Sequence, residues 1–133
     1  MFKLQNFKKI IAISILALSI SAQAKMEYPD ATNLDSVSFL NALELKELYS
    51  NKTMSGKNLK FKKKIEIFYN ENGTYKGTVA SGKKKVSGKW FVKDNGSVCF
   101  KKKMRTNCKK VYKDGDHYII IKNNKMTSKV QFK

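Results

Sequence analysis

The sequence is short of the residues that perform most catalysis and metal binding: one histidine, two cysteines and ten carboxylates among 133 residues. Two cysteines and His117 cannot fill a structural tetrahedral metal site from one chain. His117 stands beside Asp114 and Asp116, as a general base or metal ligand would, but Asp114-Gly115-Asp116 is also the composition of a tight turn, the simpler reading. No serine sits in a Gly-x-Ser-x-Gly elbow. From Lys52 onward the only carboxylates are Glu66, Glu71, Asp94, Asp114 and Asp116, the last four in turn-like sequence, which leaves no acid pair facing one cleft for glycoside hydrolysis. The expectation is a non-catalytic protein without metal or cofactor.

Proline occurs once, at Pro29, and arginine once, at Arg105. Long apolar runs are missing except for Ile10 to Ile20, which is too short to cross a bilayer. That run follows Lys3, Lys8 and Lys9 and precedes Ala22-Gln23-Ala24, which together make a secretory leader, Met1 to Ala24, cleaved between Ala24 and Lys25. No cysteine follows the cleavage position, so a lipid anchor is not expected. The mature chain is expected to be exported, periplasmic or secreted, with no transmembrane segment. In an oxidising compartment Cys99 and Cys108 read as one disulfide.

What remains reads as one small domain. Lys25 to Ser36 is a polar lead-in expected to lie loosely on the domain, and residues 37–133 form a single β-rich domain with an N-terminal helix. The helix is expected from about Val37 to Tyr49, capped by Asp35 or Ser36, with Phe39, Leu40, Leu43 and Leu48 on one stripe. After about Lys60, apolar residues alternate with polar ones: Ile65, Ile67 and Tyr69; Tyr75 and Val79; Val86, Trp90 and Val92; Val98 and Phe100; Val111; Tyr118 to Ile121; Val130 and Phe132. Asn72-Gly73, Ser81-Gly82, Asn95-Gly96, Asp114-Gly115 and Asn123-Asn124 punctuate them as hairpin turns. The fold class is mainly β: an antiparallel meander of about seven strands curled into a small barrel or half-barrel, with one short helix plugging or flanking an end. Cys99 and Cys108 then face each other across a hairpin.

Leu48-Tyr49-Ser50-Asn51-Lys52-Thr53, Asn72-Gly73-Thr74-Tyr75-Lys76-Gly77, Gly88-Lys89-Trp90-Phe91-Val92 and Val98-Cys99-Phe100 with Cys108 resemble the small secreted bacterial proteins grouped as domain of unknown function 995, over roughly Leu43 to Ile121. The resemblance implies an exported, mostly β domain with a disulfide and implies no activity. Gly88-Lys89-Trp90 is also similar to the Gly-x-Trp of lipocalins, although there it lies on the first strand, and that likeness implies a pocket for a small apolar ligand. The alternative is that Trp90 anchors the core while Gly88 lets the backbone bend.

Charge is lopsided. Of the 28 Lys/Arg, 23 lie from Lys52 onward, against 5 of the 10 Asp/Glu. They include the triplets Lys62-Lys63-Lys64, Lys83-Lys84-Lys85 and Lys101-Lys102-Lys103, the candidate anion-binding residues. Such a field draws anionic envelope lipids or glycans; nucleic acid is disfavoured by the leader. The opposing reading is plain lysine-rich composition, since anion recognition favours arginine. Lysines gathered on one face would separate the two. Exported protein should begin at Lys25, and mass spectrometry finding Met1 to Ala24 still attached would refute the leader.

Overall fold

A computed structural model describes residues 26–133. The leader Met1 to Ala24 and the cleavage position at Lys25 lie outside the described residues. Eight strands follow one another: β1 (Lys52–Asn58), β2 (Lys64–Tyr69), β3 (Thr74–Val79), β4 (Lys84–Lys93), β5 (Ser97–Lys102), β6 (Arg105–Asp114), β7 (His117–Lys122) and β8 (Lys125–Phe132). All neighbours are antiparallel, and β1 pairs with β8 from Met54–Phe132 to Asn58–Ser128, so the sheet closes into a barrel without edges.

The meander and its curling into a barrel agree with the sequence; to the seven strands visible as alternation the structure adds β1, which has little hydrophobic pattern of its own. Its inward register positions are Lys52, Met54, Gly56 and Asn58, and only Met54 is a buried apolar side chain. Gly56 is required by close approach: a Cβ there would lie 2.2 Å from the Lys129 carbonyl oxygen and 2.7 Å from Val130 Cα. Alternation is clear in some strands, while β5 and β7 are buried on both faces over Ser97–Cys99 and Ile119–Ile121. In β2, Ile65, Ile67 and Tyr69 are buried while Lys64 and Glu66 are exposed.

The helix α1 is Ala42–Tyr49, shorter than expected, and neither Asp35 nor Ser36 caps it. Leu34–Ser36 forms a separate 3-10 turn. The chain then runs extended, because Phe39 bridges Tyr112 and Leu40 N donates to the Val111 carbonyl, both on β6. Asn41 is the true cap: its Oδ1 accepts from Glu44 N at 2.8 Å and Glu44 Oε1 accepts from Asn41 N at 3.0 Å. The expected stripe is corrected too. Leu45 and Tyr49 are the buried residues of α1, Leu40 and Leu48 pack at its margin, and Leu43 is 66% exposed.

Tyr49 plugs one end of the barrel. Its ring lies 4.8 Å from those of Tyr69 and Phe132 and 5.8 Å from that of Trp90. Trp90 is fixed from both sides, its indole donating to the Asn70 carbonyl at 2.8 Å and its backbone N to Gly73 at 2.9 Å. Gly88 leaves room for the Tyr75 hydroxyl, which a Cβ would meet at 2.7 Å. Cys99 and Cys108 are register partners on β5 and β6 and are joined as a disulfide, a staple worth about 2–3 kcal/mol for so short a loop. The lead-in is stitched rather than loose: Met126 N donates to the Pro29 carbonyl, Ala31 N donates to the Asn124 carbonyl, and Asp30 pairs with Lys125.

Burial pushes the Tyr49 and Tyr69 phenols above their ordinary range. Below about pH 10 both are neutral folded or unfolded; above it only the unfolded chain gains phenolate, so stability should fall as pH rises past 10. The Tyr49 hydroxyl is buried without a hydrogen-bond partner. Tyr49→Ala should therefore cost about 3–5 kcal/mol in urea unfolding, whereas Tyr49→Phe should leave stability unchanged or raise it. Equal losses in both variants would contradict the plug.

Candidate functional site

In an eight-stranded meander, alternate hairpins emerge at opposite ends. The β1–β2, β3–β4, β5–β6 and β7–β8 connections therefore share one rim, and all three lysine triplets lie on it: Lys62 to Lys64, Lys83 to Lys85 and Lys101 to Lys103, each at a hairpin tip or in the strand residues beside it. Arg105 joins them from the start of β6, and Lys122 and Lys125 from the fourth hairpin. The other rim, where α1 sits, carries Glu71, Asp94, Asp114 and Asp116 in its turns. Among the described carboxylates, Glu66 lies in the barrel wall, 4.0 Å from Lys64, and Asp30 reaches the cationic rim through the lead-in to pair with Lys125. One mouth is thus basic with few carboxylates near it, whereas the plugged end mixes its acids with Lys52, Lys93, Lys113 and Lys133.

Two tips on the basic rim also present apolar side chains to solvent. Met104 is 97% exposed and Phe61 48%. The β1–β2 tip is held in shape by Asn58, whose Oδ1 accepts from Lys60 N at 2.9 Å and Phe61 N at 3.0 Å. Turn chemistry differs between the rims as well. Glycine takes the positive-φ positions of the turns at the plugged end, at Gly73, Gly96 and Gly115, and one on the basic rim, Gly82, where Ala80, Ser81, Asn123 and Asn124 also adopt positive φ. On the basic rim Lys62 (φ 58°) and Lys103 (φ 56°) occupy that region, which disfavours residues with a Cβ. Local strain of this kind collects where a side chain is kept for a reason other than stability.

Inside the same mouth lies a cavity of about 240 Å³. Its body is apolar and aromatic, from Met54, Ile65, Ile67, Val79, Val86, Ile120, Tyr69, Tyr75 and Phe100. Asn58, Asn107, Lys109 and Ser128 supply its polar groups. Asn107 and Lys109 reach it because they face Phe100 and Val98 in the β5–β6 register, the inward side of the wall. The Lys109 ammonium lies 5.7 Å from the Phe100 ring centroid. Burial lowers its pKa, and the charge of Lys122 lowers it further. Lys122 in turn donates to Asn107 Oδ1. A wider depression on the outer wall, lined by Phe68, Lys76, Thr78 and Ser87 among others, is more open to solvent.

The sequence-predicted lysines are thus brought to one end. Lys101 lies lowest, opposite Lys89 on the outer wall. Asp114-Gly115-Asp116 forms the β6–β7 hairpin, with Asp114 paired to His117, and among the described residues no group of three or more His, Cys, Asp or Glu is placed to hold a metal ion. Sequence reasoning missed the lumen residues Asn58, Asn107, Lys109 and Lys122. The available signal was the inward register of β6, which reads Asn107, Lys109, Val111 where a solid core would be apolar throughout. Comparison with protein families, curated proteins and solved structures finds no match. Lys103→Gly should relieve backbone strain of about 1 kcal/mol and raise Tm by roughly 4–8 °C; a lower Tm would refute the strain.

Proposed function

We propose that this chain is an exported, non-catalytic binding protein whose basic rim docks on an anionic lipid surface. The observation that carries the reading is the placement of all three lysine triplets, with Phe61 and Met104, at three of the four hairpins of one mouth. Single lysines such as Lys93 and Lys113 also stand at the plugged end, but there they alternate with Asp94, Asp114 and Asp116, whereas the triplets at this mouth do not. Each lysine near an anionic bilayer contributes about 1 kcal/mol, and exposed apolar side chains among the lysines add insertion into the headgroup boundary. An acidic glycan would have no use for Phe61 or Met104, which favours lipid over glycan. Arginine scarcity does not count against this reading, because attraction to a charged surface needs point charges rather than bidentate geometry. Export is supported by the leader in the sequence and by the disulfide, and no helix among the described residues is long and apolar enough to cross a membrane.

Docking is tested by sedimentation with vesicles of phosphatidylglycerol and phosphatidylcholine. The protein should bind the mixed vesicles at low salt, ignore pure phosphatidylcholine and dissociate as salt rises. Replacing Lys62, Lys63 and Lys64 by glutamine should weaken binding by about 3 kcal/mol, roughly a hundredfold. Phe61→Ser with Met104→Ser should weaken it further, while Lys76→Gln on the wall should change little. Equal effects from wall and rim lysines, or binding to soluble acidic glycans but not to vesicles, would overturn the reading.

A further inference from the structure

Lys109 presents a problem that the rim does not solve. Its register turns it inward, opposite Val98, beside the aromatic face of Phe100 and in the wall of a cavity that, among the described residues, no carboxylate lines. The charge that acts on it is that of another cation, Lys122. A sequestered ammonium without a counter-ion is costly, and the cost is removed when an anion arrives from outside. The rest of the cavity sets what else that anion must carry. Asn58, Asn107 and Ser128 lie with Lys109 on its wall, while the remaining surface is aliphatic and aromatic. A volume of about 240 Å³ equals roughly eight water molecules and falls below the 300–1,000 Å³ usual for drug-sized ligands.

We infer that the lumen is a binding site for a small anionic amphiphile, such as a medium-chain carboxylate, whose head group is held by Lys109 with Asn107 and whose tail lies among the apolar side chains deeper in the barrel. The basic mouth raises the local concentration of such an anion at the entrance. Tyr49 closes the far end, so the ligand enters and leaves through this mouth. The site goes beyond rim docking and does not depend on it, since the lumen would bind a free amphiphile in the absence of any bilayer.

The probe is decanoate, below its micelle concentration, titrated calorimetrically into the protein in phosphate-free buffer and compared with decanol. Decanoate should bind at a stoichiometry of one and at least tenfold more tightly than decanol. Lys109→Met keeps the volume and removes the charge; it should abolish that preference while preserving or raising Tm, as expected when a buried unpaired charge is removed. Val86→Phe should fill the cavity and block both ligands. Equal affinity for decanoate and decanol in the parent protein, an unchanged preference in Lys109→Met, or no heat in the millimolar range would overturn the site. Lys109→Met should still bind anionic vesicles, and the Lys62, Lys63 and Lys64 glutamine variant should still bind decanoate. Loss of decanoate and vesicle binding together in both variants would refute a separate lumen site.

Discussion

Pairing of β1 with β8 is the contact on which the rest of the molecule depends. It is made by two unlike strands, one whose buried apolar content is a single methionine and one carrying Val130 and Phe132. Once it forms, no backbone edge is left open, inward and outward positions are fixed around the whole circumference, and the two ends to which the meander assigns its hairpins become the rims of a lumen. Everything functional follows from those assignments. Gly56 is the permissive element, because the two strands approach so closely there that even a methyl group would collide with the Lys129 carbonyl.

The closed barrel then tolerates an arrangement that an open sheet would not. Lysines crowd one mouth, and Lys89 stands directly across from Lys101 on the outer wall, a like-charge pair that costs stability. Two other hairpin tips have lysine in a backbone region suited to glycine. Against these stand the aromatic cluster around Tyr49 and Trp90 at the opposite end and the Cys99–Cys108 bond across the β5–β6 hairpin, whose tip carries Lys103 and Met104. The stabilising features thus concentrate at the plugged end and on that hairpin, and the destabilising ones at the mouth. Such a division is expected where side chains at one end are retained for contact with something else.

Rim and lumen are two features of one mouth. The rim offers flexible point charges in water, where salt screens them within about 8 Å. Within the lumen, Lys109 is partly withdrawn from solvent against an aromatic ring, a setting in which a charge interacts more strongly and more selectively. A surface that attracts anions broadly and a recess that selects among them are complementary, and the meander places them together because Lys109 and Asn107 lie a few residues from the tip of the β5–β6 hairpin.

Much of the fold was legible from local pattern. Seven strands, the Asn-Gly and Asp-Gly turns and the cysteine pair each follow from short-range physics and appear as read, although β5 and β7 are buried on both faces over part of their length. The Asn41-x-x-Glu44 capping box was equally present in the sequence but was outweighed by the helical spacing from Val37 onward. Tertiary pairing of Phe39 with Tyr112 holds that segment extended. β1 was not legible, because a strand lined by Lys52, Met54, Gly56 and Asn58 has no hydrophobic alternation of its own and is held by hydrogen bonds on both sides. The sequence by itself determined that lysine triplets recur about twenty residues apart, near the length of one hairpin. The antiparallel meander returns each triplet to the same end; only closure decided that this end is a rim around a lumen into which Asn107 and Lys109 face, because a lumen exists only when the last strand meets the first.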